Sequence, residues 1–533
     1  MLGNGICEAE CSTAGCYYDS GDCITAANPV AVYVYPGGIG RAVGTEVEPM
    51  ASIQAALEQL WAPFTVIYLL QGTHMLEFEG GTGSLTIPKA VQLSALLCSV
   101  SSNPLCTETP ALIQLTRDRV TWVVTGEFSI ENVDFVGNFP LKPSCTLPQC
   151  LYCPAISVEN GTFRSDRGET VSNYAEQPIC DSYKDTVLLL VLPTAQLHLK
   201  SVSFRLIRHQ LLSLIKSECG TLSFSKVSFS GIIPQRKGLF SALITHIGST
   251  NSPQTACGSF NFTQGRVELL NDGYEYNPGK PFSGFFSADL IQWVSMKNVE
   301  FRMNNVLGKW TDLTSLLYIQ KAHFIDFEDC LFESTLASGA VLLVDNSGFD
   351  AVSVALVGTE FNSNYGNEVV QLTITALSLR ISISNCDFSE NISQDSIVGI
   401  YGEEQLQGQA EIHISDLSAA QNLAKNFLSV NTSANIDITR SNFIENGDIP
   451  DLLARILDIY IVSASSYMLI TPAVPWPVCV GTILLKDVYE YSLVSVLFSS
   501  CNCAFGSPGL THIGSPHSVS PILDPPLRPD LHP

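Results

Sequence analysis

The sequence predicts a mainly β solenoid, a right-handed parallel β-helix, and three observations predict it. The first is a motif, apolar-x-apolar-x4-Phe. It recurs at Phe128/Ile130/Phe135, Leu197/Leu199/Phe204, Leu222/Phe224/Phe229 and Val294/Met296/Phe301. Further copies are Ile325/Phe327/Phe332, Val354/Leu356/Phe361, Ile381/Ile383/Phe388 and Ile436/Ile438/Phe443, and a copy at Ile412/Ile414 lacks the aromatic. The second is spacing: successive phenylalanines stand 69, 25, 72, 31, 29, 27 and 55 residues apart. Periods of about 20–50 residues mark stacked coils, and the period-2 alternation makes each copy a strand rather than a helix. The third is what surrounds each Phe. Two residues before it stands Val133, Val202, Val227, Val299, Cys330, Thr359 or Cys386, and three after it Asn138, Asn304, Asn364, Asn391 or Asn446. Asparagine tolerates the left-handed backbone of a tight corner, and stacked asparagines hydrogen-bond along a stack. Residues 63–447 number 385. At about 25 per coil they predict roughly 15 coils and a rod of about 70 Å.

Composition agrees. The chain has 533 residues, 46% of them hydrophobic and 15% charged, which excludes a mostly disordered protein. Its net charge is 27 − 51 = −24, a surface that repels phosphate backbones, so nucleic acid is excluded as a partner. Seventeen cysteines, four of them in the first 23 residues and six from Cys98 to Cys180, indicate an oxidising compartment. Four glycosylation sequons point the same way, at Asn160, Asn261, Asn391 and Asn431. Met1–Gly5 offers neither a basic segment nor an apolar one, so no signal peptide is legible.

Residues 1–23 form a separate unit, spaced Cys7-x3-Cys11-x4-Cys16-x6-Cys23. A segment this short needs staples or a metal. Asn4, Asp19 and Asp22 supply the hard oxygens that calcium prefers. The four sulfurs taken alone also suit zinc, but the paired aspartates favour disulfides with calcium. The segment resembles the second half of a Lin-12/Notch repeat, above all in its ending Asp19-Ser-Gly-Asp22-Cys23. The resemblance covers about 20 of 533 residues. It implies Asn4, Asp19 and Asp22 as calcium ligands and Cys7 paired with Cys23. It further implies that Cys11 and Cys16 pair with two cysteines that precede this point in the family, so that the chain begins inside a module and its leader lies upstream. Tyr18 fits the family; Ser12 stands where the family has Asn.

Residues 24–49 read as a linker. Residues 50–61 are helical in composition and spacing and suit an amphipathic cap over the first coil. The glycine-rich lead from Gly37, this helix and the apolar strand ending in Gln71-Gly72 resemble the start of pectin-lyase-like β-helix proteins. The resemblance extends over 30–450, with the coils and their cap at 50–450. Many proteins of that fold cleave acidic polysaccharides, which makes an enzyme a serious expectation.

Interruptions are legible too. Residues 139–185, with Cys145, Cys150, Cys153 and Cys180 and several prolines, read as a disulfide-tied side loop. Cys98 with Cys106 and Cys219 with Cys257 suggest two more closures, while Cys330 and Cys386 read as buried free thiols. Residues 451–505 read as terminal coils, a cap or a membrane segment, since 459–485 carry no charge. Pro472, Pro475 and Pro477 weigh against a spanning helix. The segment 506–533, with seven prolines, reads as a disordered tail.

Catalytic chemistry has one candidate group, Asp326 and Glu328 with Asp329. Asp326 and Glu328 alternate with Ile325 and Phe327, so both face outward, and a solvated outer face is the favoured reading. No paired-acid motif or metal-spaced histidines accompany them. The sequence therefore favours a non-catalytic extracellular or cell-surface protein, structural or adhesive, whose rod displays or recognises a glycan or protein ligand. Two alternatives stand beside it. One is a polysaccharide lyase or hydrolase with a site dispersed over several coils. The other is the ectodomain of a membrane receptor anchored by 459–485.

Overall fold

The computed structural model describes residues from 24 to 502, except 26, 40–41, 61, 77–82, 116–119, 138–186, 206–212, 233–241, 249–255, 270–281, 307–313, 347–350, 375–377, 403–409, 432–434, 445, 447–478, 481–482, 487–489, 495–496 and 500. Alternating apolar residues build parallel strands, and the strands stack into two long sheets of 23 and 14 strands. The architecture is the right-handed parallel β-helix.

Each coil follows one plan. The apolar-x-apolar strand turns at the residue three before the Phe, which adopts a left-handed backbone in coil after coil: Asn132, Ser201, Lys226, Gln264, Asn298, Asp329, Gly358, Asn385, Asp416 and Arg440. The Phe strand follows within the same sheet. A second left-handed residue, such as Met303, Ser334, Ser363, Glu390 or Gln421, turns the chain toward the other sheet. The repeats pair in the register the motif implies, with Leu197 opposite Phe128, Phe204 opposite Phe135 and Phe332 opposite Phe301.

The asparagines after each Phe are not the left-handed residues; that role falls to the position before them. Asn304, Asn364, Asn391, Asn422 and Asn446 are buried, and the last four stack as an amide ladder. Asn391 Nδ2 donates to Phe361 O at 2.8 Å and to Asn422 Oδ1 at 2.9 Å, while its Oδ1 accepts from Asn364 N at 3.0 Å. Asn422 repeats this with Phe388 O and Asn446. Every amide atom is thereby used, which burial demands. Asn138 lies outside the described residues.

Phenylalanines stack in parallel above one another, Phe135–Phe204–Phe229 and Phe301–Phe332–Phe361–Phe388, with centroids 4.7–5.0 Å apart. Between Phe135 and Phe443 two coils lack the Phe. Val267 holds its place in a coil the motif does not reveal, and Ala419 holds it after Ile412/Ile414. At both gaps a Phe from the facing sheet fills the space. Phe285 packs edge-on against Phe229 (5.2 Å) and Phe301 (5.7 Å), and Phe427 against Phe388 (5.5 Å) and Phe443 (5.2 Å).

Some boundaries differ from the sequence reading. Residues 24–49, read as a linker, contain the strand Val30–Ile39, which pairs parallel with Phe64–Leu69 as the first coil. Pro36, Gly37 and Gly38 mask its alternation. The capping helix is Ile53–Glu58, N-capped by Ser52 and burying Ile53, Ala56 and Leu57. Fourteen rungs, from Val30–Ile39 to Glu490–Val494, line the large sheet among the described residues, and twelve of them fall within 63–447 rather than fifteen. Coils vary from 24 residues (Ile412 to Ile436) to 69 (Phe128 to Leu197), because the stretches between strands differ in length. Thirteen steps of ~4.8 Å give a rod of about 62 Å. Ile483–Lys486 pairs with Asn426–Asn431, so the end of 459–485 is a coil strand; residues 459–478 lie outside the described residues. No helix among the described residues is long and apolar enough to cross a membrane.

The plugged gaps make a prediction. Phe427→Ala should destabilise by about 3–5 kcal/mol and Ala419→Phe by about 1–3 kcal/mol through overpacking. The double variant should recover most of the loss, because the new Phe replaces the lost one in the stack. Chemical denaturation of the four proteins checks this; simple additivity would contradict the account.

Candidate functional site

The outward positions of the large sheet form columns along the rod, and one stretch of them is unusual. In Ile291–Arg302, Val294 and Met296 point inward, so Trp293, Ser295 and Lys297 point outward. In the next coil, Phe324–Glu328 presents Phe324, Asp326 and Glu328 directly beside them. Trp293 and Phe324 are 45% and 46% exposed, with ring centroids 5.3 Å apart and planes 34° apart. Two adjacent rings left this open form a small contiguous apolar patch on the outer face.

The sequence-predicted acids border this pair and face outward as expected. Glu328 accepts from Lys297 Nζ at 2.5 Å, and this hydrogen bond holds the ammonium above its usual range. Asp326 has no ion pair among the described residues. Partial burial, then Glu328, push its carboxyl upward against the pull of Lys297. Asp329 sits at the left-handed corner, where a Cβ on Gly358 would meet its Oδ1 at 2.5 Å. The group is thus an ion pair with a further carboxylate beside an aromatic platform, not an opposed acid pair. The sequence did carry a signal for the platform. Trp293 and Phe324 occupy the same offset, one residue before Val294 and Ile325, in successive copies.

The sequons fall on different surfaces. Asn261 is half-exposed on the outer face, paired with Ser295 of the next coil, and Asn431 is half-exposed at the end of its strand. Asn391 is a correction. It is fully buried in the amide ladder, and its Nδ2 already makes two hydrogen bonds. A glycan has no room there. Asn160 lies outside the described residues, as do Asn4, Asp19, Asp22, Cys7 and Cys23. Among the described residues no group of three acids, histidines or cysteines could hold a metal ion.

Two disulfides join the pairs the sequence suggested, Cys98–Cys106 and Cys219–Cys257, with Cα atoms 5.0 and 4.9 Å apart. Cys330 and Cys386 are buried thiols. Each hydrogen-bonds a backbone carbonyl of a neighbouring coil, and burial pushes them up to about 12 and about 11. They are inert as nucleophiles.

One acid was missed. Glu368, on the smaller sheet, is 1% exposed. Tyr401 donates its hydroxyl to Oε1, and Oε2 has no partner among the described residues. Gly399 leaves the space the carboxyl occupies, since a Cβ there would collide with Oε1. Burial outweighs the Tyr401 hydrogen bond and, with help from Asp395, pushes Glu368 up to about 8. Asp395 is itself paired with Lys425 at 3.5 Å. A glutamate amid Val369 and Val370 gives no sequence sign of such burial.

Residues 1–24 match the family model described as Notch: LNR domain. No curated protein matches the chain. Among solved structures the chain is similar to a rhamnogalacturonan lyase (10% identity, 79% of this chain and 90% of that one, TM-score 0.31). It is also similar to the catalytic domain of a GH87 alpha-1,3-glucanase in complex with nigerose (10%, 81% and 67%, 0.37). A third is PfbA, a surface adhesin of Streptococcus pneumoniae (10%, 79% and 90%, 0.30). At these scores none carries an argument about function.

Glu368 gives a pH prediction. Between the ordinary value near 4.5 and about 8, the folded chain keeps a proton that the unfolded chain has lost. Stability therefore falls as pH rises through that window, by up to roughly 5 kcal/mol. Thermal melts from pH 5 to 9 should show this fall, and Glu368→Gln should flatten it. An unchanged slope in the variant would place the titration elsewhere.

Proposed function

We propose that the chain is an extracellular, non-catalytic rod that recognises a neutral glycan on the outer face of its large sheet. The observation that carries this reading is the open Trp293–Phe324 pair with Asp326 beside it. Aromatic faces pack against the C–H faces of pyranose rings, and a carboxylate outside an ion pair accepts hydrogen bonds from sugar hydroxyls. Around Lys297 lie Asp326, Glu328 and Asp329, so the local charge is 1 − 3 = −2, and the chain carries −24. That balance disfavours polyuronides and sulfated chains. The disulfides and the Notch-type match support an oxidising, extracellular setting. In that setting Asn4, Asp19 and Asp22 are the proposed calcium ligands.

A titration of the full chain with neutral glucans and mannans, followed by tryptophan fluorescence and affinity electrophoresis, tests this. Trp293→Ala should weaken binding at least about tenfold, the loss of one buried aromatic contact. Asp326→Asn should weaken it severalfold, and no new reducing ends should appear with the wild-type chain. Unchanged binding by Trp293→Ala, or release of product, would overturn the reading.

A further inference from the structure

A second aromatic pair faces the same side. Tyr33 of Val30–Ile39 lies opposite Tyr68 of Phe64–Leu69, with ring centroids 5.4 Å apart and planes 32° apart. Both are half-exposed on the outer face. The strands between the two pairs are successive rungs of one sheet: Ala90–Ala95, Glu127–Gly137, Gln196–Arg205, Thr221–Ser225 and Cys257–Leu269. From the rung of Tyr68 to that of Trp293 is six steps, about 29 Å along the rod at ~4.8 Å each. Following the register, Tyr68 stands four residues along the strand from the column of Trp293, an offset of about 13 Å.

The ground between them suits one kind of chain. Its outward side chains include Ser129, His198, Ser223 and Asn261, which offer hydroxyl, imidazole and amide groups. Its charges are largely cancelled in place: Lys200 with Glu131 at 3.6 Å and Lys297 with Glu328 at 2.5 Å. Hydrogen-bonding groups without net positive charge, between two aromatic platforms, match a polymer that is hydroxyl-rich and uncharged.

We infer that Tyr33–Tyr68 and Trp293–Phe324 are the two ends of a single track, occupied by one linear neutral polysaccharide lying along the rod. This rests on the glycan reading and adds chain length to it. A ligand long enough to reach both pairs gains from linked contacts, whereas a short one uses only one pair.

The experiment is a length series on the full chain. Trisaccharides and decasaccharides of β-1,3-glucan, β-1,4-glucan and β-1,4-mannan are titrated against wild type, Trp293→Ala and Tyr33→Ala/Tyr68→Ala, with Tyr33→Phe/Tyr68→Phe as the ring-preserving control. Wild type should bind a decasaccharide on the order of 100-fold more tightly than the matching trisaccharide. The alanine pair should lose that advantage and keep trisaccharide binding; the phenylalanine pair should retain it. Affinity independent of length, or unaffected by the alanine pair, overturns the track. In that case trisaccharide binding that still depends on Trp293 leaves the simpler reading standing. Absence of binding to every oligomer overturns both.

Discussion

The buried amide ladder Asn364–Asn391–Asn422–Asn446 constrains the coils it crosses. Asn391 and Asn422 each join three successive coils: each donates to the carbonyl of the Phe position in the coil before it, donates to the next amide, and accepts from the preceding one. A slip of one residue would leave donors and acceptors buried without partners, at a cost of about 1–3 kcal/mol for each. The ladder therefore fixes the register, and the register places Phe over Phe and Ile over Ile. The left-handed residues three before and two after the Phe follow from the same geometry, since the chain must turn at a fixed point in every coil. Lys226, Gln264 and Arg440 accept a conformation that costs side-chain-bearing residues about 1–2 kcal/mol, which shows how strongly stacking sets the corner.

This division of labour decides where function resides. Inward positions are consumed by packing, and where a coil departs from the rule, as at Val267 and Ala419, a facing Phe restores the filling. Buried groups with unusual chemistry, such as Cys330, Cys386 and Glu368, are closed off by their neighbours. Outward positions are free of the stack and change character from coil to coil. Most carry small polar or paired charged groups. Trp293, Phe324 and Asp326 depart from that pattern, and the proposed recognition surface rests on that departure.

Much of the architecture was legible because a solenoid repeats its physics. The inward apolar alternation, the Phe spacing and the recurring asparagines each report the same stacking, so one sequence contains its own comparison. What was not legible lies where the pattern is broken or three-dimensional. The coil at 257–269 hides because Val267 replaces the aromatic, and the first strand hides behind Pro36, Gly37 and Gly38. Asn391 matches a glycosylation sequon and belongs to the ladder; only burial separates the two. Asp326 and Glu328 were correctly placed outward, but the platform beside them emerges from strand register, which joins Trp293 to Phe324 across 31 residues. Glu368 needed the facing Tyr401 and the bare Gly399 to be recognised at all.

The central claim is that the stack is rigid and that recognition occurs on the outer face of the large sheet. Hydrogen–deuterium exchange of the full chain, with and without a long neutral glucan or mannan, tests both parts at once. The account predicts slow exchange at the ladder amides Asn364, Asn391 and Asn422 in either state. It also predicts ligand-induced protection confined to the rungs from Val30–Ile39 to Phe324–Glu328. Fast exchange along the ladder, or protection on the smaller sheet around Glu368 and Tyr401, would contradict it.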